Sequence, residues 1–239
     1  MTRSASVGSA MASLRSAQKS NAGAAAYSRF VNRPLGRFFA AVAFVLRMTP
    51  DQVTVISAIC TLTGIALIAA LPPTLGTSAL IVALLVLGYA LDSADGQLAR
   101  LRGGGTRRGE WLDHMFDALK IATIHLAVLV CWWRFYELDT AMLLFPIAFQ
   151  VVANVMFFGF VLTDLIRRSS PSPEPASSPQ YRLSPLYSLA VLPSDYGLLL
   201  LVFILLWLRP AFVIVYGLLT VANALLLGAA AFRWYRSLG

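Results

Sequence analysis

Six apolar stretches, each close to the length that crosses a bilayer, set the first limit on what this chain can be. They lie near 51–71, 76–100, 110–133, 140–165, 186–208 and 210–232. About 20 apolar residues suffice for a helical span. In lipid every backbone N–H and C=O must find its partner within the segment, so each stretch is predicted to be a helix. Composition agrees. Charged residues make up 13% of the 239 residues, against about 25% in soluble domains. So few charges cannot cover a soluble globule. The predicted fold class is an all-α integral membrane protein with six transmembrane helices. Soluble enzyme folds, disordered chains and collagen-like chains are excluded.

The breaks between stretches carry turn chemistry: LPPTLGT (71–77), RLRGGGTRRG (100–109), WRFYELDT (133–140) and LRP (208–210). A Pro- and Ser-rich polar linker is expected over 166–185. Pro193, Ser194 and Asp195 interrupt the fifth stretch, and Ser194 or Asp195 is placed to cap the helix that follows. Residues 1–26 are rich in Ser and Ala, have no apolar run of signal-peptide length, and read as a disordered tail. Residues 27–47 differ. Arg29, Arg33 and Arg37 recur every four residues and form one helical stripe, with Phe30, Phe38, Val42 and Val45 elsewhere on the helix. That pattern predicts a juxtamembrane amphipathic helix in the interface, its basic face toward phosphates. Pro34 either kinks it or marks its first turn. Residues 48–239 form the six-span domain.

The net charge is +8. The N-terminal region, the 100–108 turn, the 166–185 linker and the C-terminus hold 16 of the 19 basic residues. These residues flank apolar spans, so anionic lipid head groups are the expected partner and nucleic acid is not. The asymmetry places both termini in the cytoplasm of a multi-pass protein, and a bacterial plasma membrane is the expected location. Cys60 and Cys131 lie inside apolar runs and read as small hydrophobes.

The acidic residues are not spread evenly. Five of the eleven fall within 26 residues: Asp92, Asp95, Glu110, Asp113 and Asp117. Asp92 and Asp95 share one helix face, and Asp113 and Asp117 share another. Gly103, Gly104 and Gly105 between them allow an antiparallel hairpin, so the two pairs face each other near the cytoplasmic surface. Four carboxylates so placed repel one another and stay ionised only with cations between them. Oxygen-only ligands suit Mg²⁺ or Mn²⁺, and two such ions suit phosphoryl chemistry. Gly96 and Ala99 remove bulk where a ligand would approach. Arg100 offers a planar cation for phosphate. Gly109 lies on the stripe 109, 113, 117 and permits close approach where that helix begins.

The pattern D-x2-D-G-x2-A-R-x8-G-x3-D-x3-D resembles the signature of the CDP-alcohol phosphotransferases. Every fixed position is met, by Asp92, Asp95, Gly96, Ala99, Arg100, Gly109, Asp113 and Asp117. Thr49-Pro50-Asp51-Gln52-Val53-Thr54 resembles that family's segment leading into the first span. The resemblance implies a CDP-linked alcohol donor and two divalent ions on the cytoplasmic side. Asp92, Asp95, Asp113 and Asp117 would hold the metal. Asp117 would be the general base for the acceptor hydroxyl, which attacks the β-phosphorus as CMP leaves. Gly96, Ala99 and Gly109 would border the cytidine, and Arg100 would face the diphosphate. A homodimer is implied too. CDP-diacylglycerol is the expected donor, giving a phospholipid product. Inositol phosphate, glycerol phosphate and serine stand as acceptors, and a soluble CDP-polyol donor is the alternative. Asn32-Arg33-Pro34 resembles members that handle inositol phosphates.

Bland readings apply elsewhere. Glu110 suits a helix N-terminus through the dipole. His114 points about 100° from Asp113 and is expected to pack. The run G-E-W-L-D-H-x2-D also resembles eukaryotic choline and ethanolamine phosphotransferases, which leaves a role beside the acids open. His125 is expected as a hydrogen-bonded core residue. Lys120, one turn below Asp117, should snorkel or pair with an acid. Arg107, Arg108, Arg167, Arg168 and Arg182 read first as positive-inside residues. Asp195 caps a helix or meets a polyol. A cation transporter would need midplane acids on broken helices, and an intramembrane prenyltransferase a second Asp-rich motif. Neither feature is present.

Overall fold

A computed structural model of the chain describes residues 7–16, 26–169 and 192–238. Its helices are α1 (Val7–Ser16), α2 (Arg33–Val45), α3 (Pro50–Ala70), α4 (Leu75–Leu101), α5 (Arg107–Phe135), α6 (Leu144–Ser169), α7 (Tyr196–Val202) and α8 (Arg209–Leu238). Five of the described helices are long and apolar enough to cross a membrane: α3, α4, α5, α8, and α6 with the 3-10 turn that leads into it from Thr140. These match five of the six predicted spans within a few residues. Large apolar side chains such as Ile59, Phe158, Ile214 and Leu225 face outward, as a bilayer-facing surface requires.

The fifth predicted span, 186–208, comes out differently. Residues 186–191 lie outside the described residues. From Tyr196 the chain makes seven residues of α-helix and five of 3-10 helix, Phe203–Trp207. That is too short to cross a bilayer alone. Asp195 caps its start by accepting from the Gly197 N–H at 3.0 Å. At its other end Pro210 offers no N–H to continue the helix. The described segment packs into the core, burying Leu199, Leu200, Val202, Phe203 and Leu206.

The N-terminal region also departs from expectation. Within the stretch read as disordered, Val7–Ser16 is helical, and Ala10 and Leu14 are buried with Ala40, Ala41, Ala43, Val53, Ala94 and Leu98. Before α2, residues Ser28–Asn32 form a π-helical turn, in which the Arg33 N–H reaches Ser28 O. Pro34 sits in the first turn of α2, where its missing N–H is tolerated. The helix docks on α4. A side chain at Gly36 would come within 2.6 Å of Ser93 Oγ, and Gln97 Nε2 donates to Arg33 O at 3.1 Å. The predicted polar linker, 166–185, begins inside α6 and otherwise lies outside the described residues.

Local sequence explains the hairpin. Thr49 and Gln52 form a reciprocal capping box at α3, as Thr74 and Thr77 do at α4. Thr106 Oγ1 caps α5 by accepting from Gly109 N at 3.0 Å. Between α4 and α5, Gly103 and Gly104 have φ of 99° and 130°. Residues with a Cβ rarely adopt such angles, so the glycine run is what lets the chain reverse.

Candidate functional site

The α4–α5 hairpin places its acids in two levels. Asp95 and Asp113 stand nearer the glycine turn. Asp92 and Asp117 lie one turn deeper, by about 5 Å along the helices. A cavity of about 210 Å³ opens among Arg33, Asp92, Ser93, Asp95, Gly96, Gln97, Arg100 and Asp113. Acids and guanidiniums therefore line the same small volume. Arg33 reaches it from α2, so the predicted basic stripe supplies the cavity with one of its three arginines.

Each acid is held in its own way. Thr54 Oγ1, from α3, donates to Asp95 Oδ2 at 2.6 Å, and the Gly96 N–H lies 2.5 Å from Asp95 Oδ1. Asp95 is buried, and two donors compensate part of the cost of burying its charge. Lys120 Nζ bridges the deep level, 2.5 Å from Asp92 Oδ1 and 3.0 Å from Asp117 Oδ1. Lys120 is buried, so pairing rather than snorkelling is the outcome. Asp113, His114 and Asp117 bring one donor atom each within 4.8 Å of one another. His114 thus stands beside the acids, the placement that the resemblance left open.

The small residues divide by role. A side chain at Gly96 would meet no more than Arg100 Nη1, at 3.5 Å. Protein packing does not demand a glycine there, and the open side belongs to the cavity. At Gly109 a Cβ would lie 3.2 Å from both Asp51 Oδ1 and Thr106 Oγ1. That glycine admits Asp51, which pairs with Arg108 at 3.2 Å. Ala99 is buried, and neither it nor Gly109 lines the cavity. Asp117 joins the group through Lys120 and His114.

Other residues settle into structural work. Arg168 bridges Glu110 and Asp164, tying α6 to the start of α5. Arg167 donates to Ser237 Oγ at 2.7 Å. Arg182 lies outside the described residues. Asp195 accepts from the Ser28 N–H at 3.1 Å as well as from Gly197, which joins α7 to the N-terminal region. Outside the membrane-length helices, the same carboxylate and burial together raise the Tyr27 hydroxyl pKa, burial contributing more. His125 is buried, with Nδ1 2.7 Å from Tyr216 Oη and its ring stacked 4.0 Å from Phe149. Sequence reading named Thr54 only in the segment leading into the first span and Arg33 only in the basic stripe and the Asn32-Arg33-Pro34 resemblance, and tied neither to the acids. Thr54 closes the TPDQVT segment, and Arg33 opens α2. No local spacing rule connects either residue to acids 41 or more positions away.

Helices of membrane length, enclosing a cavity that mixes carboxylates with guanidiniums at one end, define the class as a multi-pass membrane protein with an acidic hairpin site. A profile of the CDP-alcohol phosphatidyltransferase family matches residues 47–234, and the chain belongs to that family, whose enzymes are transferases. The phosphatidylinositol phosphate synthase of Corynebacterium glutamicum is 35% identical over 118 residues, 46% of this chain and 50% of that protein. The match thus spans about half the length of that relative. Two crystal structures of the Mycobacterium tuberculosis phosphatidylinositol phosphate synthase share the fold. One, with CDP-DAG bound, gives a TM-score of 0.56 at 19% identity, covering 86% of this chain and 94% of that one. The other, with manganese and citrate, gives 0.57 at 19% identity, covering 86% and 89%.

Proposed function

We propose that the protein transfers a phosphatidyl group from CDP-diacylglycerol to the hydroxyl of inositol phosphate, releasing CMP, as a step of phospholipid synthesis. One observation carries this reading: five of the eight signature residues line a single cavity together with Arg33. The relatives named above support the donor and the acceptor. The concentration of basic residues at one end of the spans supports a cytoplasmic site and cytoplasmic termini.

The donor set fits divalent metal. Asp92, Asp95, Asp113 and Asp117 offer oxygen ligands of the kind that hold Mg²⁺ or Mn²⁺, and Lys120 engages one oxygen each of Asp92 and Asp117. We assign these four aspartates to two ions. When bound, the ions neutralise the diphosphate and the charge that develops on departing CMP. The rest falls to the chain. Arg100 and Arg33 grip the diphosphate oxygens. Gly96 leaves room for the cytidine against α4, bordered further by Ala99 and Gly109. Asp117 takes the proton of the acceptor hydroxyl on a carboxylate oxygen. That hydroxyl oxygen bonds to the β-phosphorus, and the bond from the β-phosphorus to the CMP oxygen breaks. Thr54 keeps Asp95 turned toward the cavity. The family resemblance also leads us to assign a homodimer.

CMP release by purified protein in detergent with Mg²⁺ tests the reading. CDP-diacylglycerol is supplied, and inositol phosphate, glycerol phosphate, serine and inositol are added one at a time. CMP formed with inositol phosphate, and abolished by EDTA, is the expected result. CMP formed with another acceptor moves the assignment to that alcohol. CMP formed from a soluble CDP-polyol alone moves the donor. No CMP from any combination removes the transfer reaction.

A further inference from the structure

Four carboxylates on two facing helices are a standing problem for the folded chain whenever metal is absent. Like charges at this range oppose the closing of the hairpin. The two levels meet that problem differently. At the outer level Asp95 is compensated by the Thr54 hydroxyl and the Gly96 N–H. At the deep level one cation, Lys120, contacts a carboxylate from each helix, Asp92 on α4 and Asp117 on α5. Its side chain is nearly inaccessible, with 6% of its surface exposed. A buried ammonium is costly unless paired, and here both partners lie within 3.0 Å. A lysine also suits the place. It is a compact charge on a flexible stem, able to reach between two oxygens without the wide fork of a guanidinium.

We propose that Lys120 is a positioning residue for the acid cluster: a resident cation that bridges Asp92 and Asp117 and holds the hairpin closed before divalent metal binds. It rests on the reading that these aspartates hold metal. Lys120 touches one oxygen of each carboxylate, so the second oxygen of each stays available to an ion. With metal bound, the ions supply the positive charge and the lysine becomes dispensable for stability. Without metal, the lysine alone bridges the deep pair.

The test is thermal unfolding of the full chain in detergent, in EDTA and in saturating Mn²⁺, for the wild type, Lys120→Met and Lys120→Arg. The wild type should change little between the two conditions. K120M should melt about 10 °C lower in EDTA and regain most of that loss in Mn²⁺. K120R, which keeps the charge but brings the wider guanidinium fork, should recover only part of the metal-free stability. An equal loss in EDTA and Mn²⁺ would mark an ordinary structural ion pair and overturn the proposal. So would an unchanged melting temperature in EDTA. A K120M protein that cannot be recovered folded in either condition would overturn it too, since metal should replace the ammonium. CMP release by the wild type is measured in parallel. Metal-dependent rescue without CMP would sink the transfer reaction and leave the resident cation standing. CMP formation without metal-dependent rescue would do the reverse.

Discussion

Helix α5 carries two regions of opposite character. Its first half holds Asp113, His114, Asp117 and Lys120 beside a cavity. Its second half holds His125, Cys131 and Trp132 in a dry core. In that core, rings close on one another. Trp132 lies 5.4 Å from Tyr216 and 6.2 Å from Phe212, and Phe149 lies 5.2 Å from Tyr216. The polar atoms of His125 and Tyr216 meet each other, and Tyr136 Oη donates to Leu206 O. At the acidic end three carboxylates, Asp92, Asp95 and Asp113, line a cavity together with Arg33 and Arg100. The difference separates stability from function along one helix. The aromatic end holds the bundle together, and the acidic end carries the site we propose for cations and phosphate.

Four experiments sharpen that comparison or break it. The largest effect belongs to the acidic end. Asp113→Asn should lower CMP release by about 10³-fold, the scale on which loss of one group stabilising transition-state charge is felt. Size-exclusion profile and melting temperature should stay near those of the wild type. Retained turnover would detach the acids from the chemistry. Trp132→Ala should act the other way. It removes a fully buried ring, for about 3–5 kcal/mol of stability, visible as a large drop in melting temperature. Turnover per folded molecule should hold, and a selective loss of turnover would show the two ends to be coupled. Thr54→Val removes the hydroxyl that holds Asp95, a charge-assisted bond of about 1.5–3 kcal/mol. Turnover should fall by at least tenfold, and the Mn²⁺ concentration for half-maximal activity should rise. The smallest effect is expected from Tyr216→Phe, which leaves His125 without its partner. A loss of about 1 kcal/mol in stability, with the metal dependence untouched, would keep the two regions independent.

The parts of the fold that were legible in sequence rest on local rules. Five long helices follow from apolar runs, and their ends from Thr-based caps and glycine. The acid hairpin follows from helical spacing on either side of Gly103–Gly105. The illegible parts depend on neighbours. The fifth apolar stretch, 186–208, was read as a span interrupted at Pro193, Ser194 and Asp195, and among the described residues it forms two short helices from Tyr196, the first capped by Asp195. Residues Val7–Ser16 looked too small and polar to order, but Ala10 and Leu14 fit against the alanine face of α2.

What the sequence by itself determined is therefore what periodicity and solvent preference control: a helical membrane protein, a reversal at three glycines, and four aspartates on two facing stripes. Only the tertiary structure decided which distant groups complete the site. Thr54 on Asp95, Arg33 in the cavity and Lys120 between Asp92 and Asp117 join separate helices. Such contacts arise from how helices pack, and a pattern read along one chain direction has no term for the distance between them.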